Sequence, residues 1–414
     1  MKKNYFHRDD CRLCGSSRLE LVLPILPSPI GDAFIPQDRL DEPQELFPLD
    51  TYICLDCSHI QNIDIVNPEI LFRDYTYKTS ASLGLVNHFN LYASAVIEKL
   101  RLPVDSFVVE MGSNDGSLLK AFKNLGMHVL GIDPAVSIAQ AATEDGINTL
   151  PEFFSFDVAA SIYEKEGAAQ LFCANNVFAH IDNISNVVMG VRRLLASDGV
   201  FVFEVSYVPD MVDRFVFDTI YHEHVSHHSL LPLEKFLNGL DMTLFDVERV
   251  STKGGSIRAF AQPLSTGIRQ KTEDLTAMFE NEALRGFNQP EVYRKFFKNI
   301  QKRKDDVLSY LASSDGEGKI IAAYGASTTT TTLLYHFELE NKIKYIFDDN
   351  PIKHSLYSPR AHIPVLPSED LYQIRPDIII ILAWQYESFI VEKHRKFVQE
   401  GGKFLIPLPE LRIV

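Results

Sequence analysis

The sequence predicts an α/β protein in which two parallel-sheet units follow a cysteine-bearing N-terminal module, and three observations carry that prediction. From 104 to about 262, apolar runs of strand length (SFVVEMG, MHVLGIDP, AAQLFCANN, GVFVFEVS, MTLFDVERV, SIRAFAQP) alternate with helical stretches, the pattern of a largely parallel sheet. From 318 the alternation resumes with GKIIAAYGAS, KIKYIFDDNP, PDIIIILAW and GGKFLIPLP. Residues 1–70 instead hold proline-broken short pieces and two CxxC pairs.

In chain order, 1–70 form the cysteine module and 71–265 the first α/β domain, with 71–98 as its helical lead-in. Residues 266–315 are charged, amphipathic and almost free of Gly and Pro, so they form one or two connecting helices. Residues 316–414 form the second α/β domain. A chain of 414 residues is too long for one small core, which agrees with this division.

Composition excludes several classes. The longest apolar run, IIIILAW (378–384), is far shorter than a bilayer span, and MKKNYFHRDDCR has no apolar signal region. We therefore expect a cytoplasmic protein. A net charge of −15 argues against nucleic-acid and acidic-membrane partners, both of which need clustered Lys and Arg. A small anionic molecule remains possible, since one helix N-terminus can hold it. A monomer and a small homo-oligomer are both open.

Cys11 and Cys14 lie in CRLC, and Cys54 and Cys57 in CLDC. Two such knuckles can gather one zinc ion with four thiolates, which fill every tetrahedral position and make the metal structural. The metal then replaces a core the segment cannot build. His59 reads as an exposed loop histidine, and Cys173 in LFCANN as a small buried hydrophobe.

FVVEMGSNDGSLLKAF (107–122) reads as a buried strand, a glycine turn and a helix. Gly112 and Gly116 let the backbone approach a ligand. Residues 112–117 read GSNDGS, so the dinucleotide pattern G-x-G-x-x-G is incomplete and the turn is not built for a pyrophosphate. The pattern E-x-G-x-N-x-G (Glu110, Gly112, Asn114, Gly116) suits S-adenosylmethionine, which has no phosphates. Glu110 and Gly112 would face its methionine part, Asp133 at the end of the next strand its ribose, and Asn175 and Asn176 its sulfonium.

YHEHVSHHS (221–229) holds four histidines within seven residues. His222 and His224 would share a face on a strand but not on a helix, and the zinc-protease spacing H-E-x-x-H is missing. Metal binding and a solvated loop are the plainer alternatives. Because the four cysteines already offer the better zinc site, the imidazoles are expected to carry protons. Asp348-Asp349 resembles the ribose-binding acid of a second nucleotide fold, either functional or vestigial.

The order CxxC…CxxC, EMGSNDGSLL, NNVFAHIDN, YHEHVSHHS, KGGSIR, YGAS, FDDNP, GGKFLIPLP over nearly the whole chain resembles the SAM-dependent nucleotide-sugar C-methyltransferases. The resemblance implies an N-terminal zinc-binding domain, a central Rossmann-like S-adenosylmethionine domain and a C-terminal Rossmann-like domain that helps hold a nucleotide sugar. It also implies a TDP-linked 4-keto-6-deoxyhexose as substrate, methylated beside its ketone, commonly at C3, through an enolate. Carried over by residue, the family's Y-H-E-H falls on Tyr221, His222, Glu223 and His224, and its strand-end segment on Ala174 to His180. Such chemistry needs a base, for which His224 is our candidate with Glu223 orienting it. It also needs a donor to the enolate oxygen, for which Tyr221 and then His180 are candidates. Tyr75 and Tyr77, His222, Arg258 and Tyr324 are candidates for contacting the substrate.

Two departures stand out. After Tyr324-Gly325-Ala326-Ser327 come five threonines (328–332) where the family often has a basic residue and a glycine, which weakens phosphate binding there. His227-His228 replace an expected aromatic pair, predicting a more polar pocket wall. The alternative functions are an NAD(P)-dependent nucleotide-sugar oxidoreductase and a zinc-module scaffold.

Overall fold

The computed structural model describes residues 4–72, 79–81, 83–314 and 319–414. In the N-terminal module, β1 (Leu19–Leu23), β2 (Thr51–Cys54) and β3 (Ile60–Asn62) form an antiparallel sheet. Its fourth strand is borrowed: Ser226–His227 of the histidine loop lies beside β3, with Ser226 opposite Gln61 and His227 opposite Ile60. A two-residue ladder joins Ile35–Pro36 of the module to Leu356–Tyr357 of the C-terminal domain. The module thus touches both α/β units.

The first α/β domain begins with α1 (Leu83–Leu100). Its strands are β4 (Phe107–Met111), β5 (His128–Ile132), β6 (Thr149–Leu150), β7 (Ala169–Asn175), β8 (Leu195–Ser206), β9 (Met242–Val250) and β10 (Ser256–Pro263). They lie in the order β9-β10-β8-β7-β4-β5-β6, parallel from β8 to β6 and antiparallel at the β8-β10-β9 end. All five residues of FVVEM are buried, because both faces of a parallel sheet are covered and polar alternation has nothing to face. Tyr92, Phe122 and Phe260 pack on the α1 side, and Phe172, Phe178 and Phe203 on the other. The helix after β4, α2 (Ser117–Asn124), starts at Gly116, the N-cap residue.

In the C-terminal domain β11 (Ile321–Tyr324), β12 (Tyr345–Asp348), β13 (Val365–Pro367), β14 (Ile378–Ile381), β15 (Lys403–Ile406) and β16 (Arg412–Ile413) lie in the order β13-β12-β11-β14-β15-β16. All neighbours are parallel except β16.

The expected connector is two helices with different partners. After α3 (Leu230–Asn238), α4 (Glu273–Leu284) packs on α3 and β9, and its buried Glu282 accepts hydrogen bonds from Tyr207 Oη (2.8 Å) and from the Leu230 (2.7 Å) and Leu231 (2.9 Å) amides. The second helix, α5 (Pro290–Ser314), lies against β1 and shares a core with the C-terminal domain. Amphipathic spacing announces an apolar face but not which surface will cover it. Among the described residues no helix is long and apolar enough to cross a membrane.

Candidate active site

The four cysteines converge. Their sulfurs all lie within 4.8 Å of one another, with Cys11–Cys57 and Cys14–Cys54 at 3.5 Å. Zinc–sulfur bonds of about 2.3 Å in a tetrahedron place sulfurs about 3.8 Å apart, so the cluster fits a four-thiolate zinc ion with no position left for substrate. Backbone turns close each knuckle: the Gly15 amide donates to Cys11 O and the Ser58 amide to Cys54 O, both at 2.8 Å.

A cavity of about 450 Å³ opens at the carboxyl end of β4, β5 and β7. Glu110, Gly112, Asn114, Asp133, Asn175 and Asn176 all line it. Gly112 sits at φ +66°, and a Cβ there would come within 2.9 Å of Val177, so the position requires glycine. Asp133 accepts the Asn114 amide (2.8 Å) through Oδ2 and the Ala135 amide (2.9 Å) through Oδ1, which aims the carboxyl across the turn. Burial pushes its pKa up against those two bonds. Burial pushes Glu110 well above the usual carboxylate range, and its Oε2 has no hydrogen-bond partner. Such orphaned buried groups at a cavity wall mark where a polar ligand completes the bonding. None of the described lining residues is Lys or Arg. The residues fit S-adenosylmethionine, whose ribose hydroxyls and amino-acid tail need acceptors. Gly116 does not line the cavity; at φ +73° it packs on Ile147 and starts α2.

Tyr221, Glu223 and His180 line the same cavity. His224 stands behind Tyr221: its Nε2 lies 2.9 Å from Tyr221 Oη and its Nδ1 2.7 Å from the Thr219 carbonyl. A carbonyl only accepts, so Nδ1 carries the hydrogen and Nε2 is the basic nitrogen, accepting from the tyrosine hydroxyl. His180 lies between two rings, stacked on Phe72 (5.7 Å, 4° between planes) and tilted on His224 (5.1 Å).

Other expected residues lie elsewhere. His222 turns to the module, 3.2 Å from the Phe47 carbonyl, and burial holds its pKa down to about 4. His227 and His228 do not form a pocket wall. His227 Nε2 meets Asn62 Oδ1 at 3.1 Å, and His228 stacks between Phe178 and His59 in the seam with the module. His59 is fully buried rather than exposed, 3.2 Å from Ser226 Oγ. Arg258 does not line the cavity: it is buried over Tyr92 and donates twice to Glu204 Oε1 (2.8 and 2.7 Å), an ion pair on neighbouring strands. Tyr324 lies in the C-terminal domain, bonded to Asp349 (2.8 Å) and 3.1 Å from His394 Nε2. The threonine run is the helix α6 (Thr328–His336), with Thr331 donating to Gly31 O and Thr332 to Ile220 O. In KGGSIR, Gly255 packs on Asp210, where a Cβ would come within 2.6 Å. Cys173 is buried as expected, its pKa raised by burial. Tyr75 and Tyr77 lie outside the described residues.

Sequence reading missed the wall supplied by the module. Phe6 and Phe72 line the cavity, as does Asp182, which pairs with Arg8 at 2.8 Å. No periodicity marks these positions, because the contact joins segments more than a hundred residues apart.

Three family models match the chain: "Putative zinc binding domain" over 11–72, "Methyltransferase domain" over 87–245 and "C-methyltransferase C-terminal domain" over 251–409. The C-methyltransferase NovU of Streptomyces niveus is 30% identical over 407 residues, 98% of this chain and 97% of that one. Among solved structures, the magnesium protoporphyrin IX methyltransferase of Synechocystis PCC 6803 with bound SAM is 14% identical with a TM-score of 0.33, covering 43% of this chain and 79% of that one. The PH0226 protein of Pyrococcus horikoshii OT3 is 13% identical with a TM-score of 0.37, covering 47% and 98%. With a relative of that identity matching end to end, this chain belongs to the C-methyltransferase family.

Proposed function

We propose that the protein transfers the methyl group of S-adenosylmethionine to the carbon beside the ketone of a nucleotide-linked 4-keto-6-deoxyhexose, at C3 of a TDP-linked sugar. The observation that carries this reading is that Tyr221, with His224 behind it, and the Glu110–Gly112–Asp133 turn open on one cavity. When bound, S-adenosylmethionine supplies an electrophilic methyl. The protein must then make carbon nucleophilic. On substrate binding the Tyr221 hydroxyl turns from His224 to the ketone oxygen, which frees Nε2. His224 takes the proton from the neighbouring carbon, and the C–H electron pair moves into the enolate. Tyr221 stabilises the enolate oxygen, while Thr219 keeps the imidazole in its Nδ1–H tautomer. Glu223 and His180, both at the cavity wall, orient the sugar. Holding the two reacting carbons in line contributes a further large share of the acceleration.

Thermal shift with S-adenosylhomocysteine and with NADH tests the cofactor: we expect stabilisation by the first alone. Turnover of TDP-, GDP- and CDP-linked 4-keto-6-deoxyhexoses, read as a mass gain of one methyl, tests the substrate. Stabilisation by NADH alone, or no methyl gain on any of them, would sink the reading.

A further inference from the structure

We propose that Asp218 and Trp384 are positioning residues through which the C-terminal domain sets the aim of the Tyr221–His224 pair. This rests on the reading of that pair as the proton-handling machinery. In FDTIYHEH (217–224) the attachments alternate. Phe217 stacks on Phe337 (5.7 Å, 16° between planes) and meets His336 edge-on. Asp218 Oδ2 accepts the Trp384 indole N–H at 2.9 Å, and the Ile220 carbonyl accepts the Thr332 hydroxyl at 2.9 Å. Between these anchors Thr219 O holds His224 Nδ1, and immediately after them comes Tyr221, bonded to Nε2. These two hydrogen bonds to the imidazole are therefore made by residues next to a C-terminal-domain anchor.

The chemistry of the anchor argues for direction over packing. Asp218 is 1% exposed, and its second oxygen has no hydrogen-bond partner. A buried carboxyl in that state costs stability that an apolar side chain of similar size would not. What the carboxyl adds is a directional bond to the indole. A shift of about 1 Å in a catalytic group can cost on the order of a hundredfold in rate, so one such bond can be kept for geometry alone.

The test compares Trp384→Phe, Asp218→Leu and Asp218→Asn in the full chain, with His224→Gln alongside. The probes are S-adenosylhomocysteine for affinity and a TDP-linked 4-keto-6-deoxyhexose for kcat, KM and exchange of its α-proton with D2O. The first two variants should lose roughly tenfold or more in kcat and in exchange rate, with cofactor affinity and sugar KM within about twofold. Asp218→Asn keeps an acceptor for the indole and should restore most of both rates. Trp384 is the sole tryptophan, so its fluorescence should move in Asp218→Leu and stay close to the parent in Asp218→Asn. Unchanged kcat in both Trp384→Phe and Asp218→Leu overturns the proposal. So does cofactor affinity falling in step with kcat, which would mean a general loss of structure. If His224→Gln keeps its rates, it is the reading of the pair that fails.

Discussion

The two α/β domains are wired alike at the turn after their first strand, yet among the described residues the cavity of about 450 Å³ opens at the first of them. In the first, the Gly112 amide donates to Ile132 O at 2.8 Å, and in the second the Gly325 amide donates to Phe347 O at the same distance. The acid that follows is bonded identically. Asp133 takes the Asn114 and Ala135 amides, and Asp348 takes the Ala326 (2.6 Å) and Asn350 (2.7 Å) amides. The contrast lies in what comes next. At the end of β7 stands Asn175, whose buried amide atoms have no hydrogen-bond partner, beside Glu110 Oε2 in the same state. Beyond β14 stands Ala383, so close to Gly325 that a Cβ on the glycine would meet it at 2.6 Å. Tyr324, Asp349 and His394 bond among themselves, and the α6 threonines bond to Gly31 and Ile220. A glycine turn with an acid at the end of the neighbouring strand is therefore a way of building this fold. Unsatisfied polar atoms around open space are what mark a ligand site.

The comparison breaks most sharply at the histidines. His224→Gln should lower methyl transfer by roughly 10²–10⁴-fold with unchanged S-adenosylhomocysteine affinity. His394→Gln, in the corresponding polar cluster of the second domain, should leave the rate within about twofold and lower stability by about 1 kcal/mol. Steady-state kinetics with calorimetric titration checks both.

The glycines come next. Gly112→Ala and Gly325→Ala each place a Cβ in a crowded, positive-φ position, and each should destabilise by about 1–3 kcal/mol in chemical denaturation. Only Gly112→Ala should also weaken S-adenosylhomocysteine. If Gly325→Ala weakens it equally, the second domain contributes to the cofactor site and the contrast fails.

The acids give a smaller difference. Asp133→Asn should weaken S-adenosylhomocysteine about tenfold, or about 1.4 kcal/mol, while Asp348→Asn should change only the melting temperature.

The smallest effect concerns the seam between the domains. Burial pushes the Asp218 carboxyl up to about 7. A carboxyl with a raised folded pKa contributes fully below its unfolded value near 4, and that contribution is lost as pH rises through about 7. Asp218→Asn does not titrate, so its melting temperature should gain on the parent by a few degrees between pH 5 and pH 8. An equal difference at both pH values would mean that the carboxyl is not held neutral by burial.

Much of this was legible because it is local. CRLC and CLDC fix ligand spacing within four residues, and FVVEMGSNDGS fixes a strand and a glycine turn within eleven. The largely parallel α/β class followed from alternation with helices. The fate of individual side chains in YHEHVSHHS did not. His224 joins the cavity's tyrosine because Thr219 bends back to hold it, while His227 becomes a strand partner of Ile60 across 167 residues of chain. Arg258 was expected at the substrate because its acid, Glu204, lies on a neighbouring strand and not nearby in sequence.

Short-range chemistry was thus written in the sequence itself: the four-cysteine knot, the glycine turn with its acid, and a loop rich in histidine. Those features depend on residues a few bonds apart, whose geometry the backbone limits tightly. Which imidazole faces the cavity, which domain holds the loop, and which of two identically wired turns stays open were decided by packing between distant segments. In a close-packed interior a single methyl such as that of Ala383 closes one turn, and a pair of unpartnered amide and carboxyl groups leaves the other waiting for a ligand.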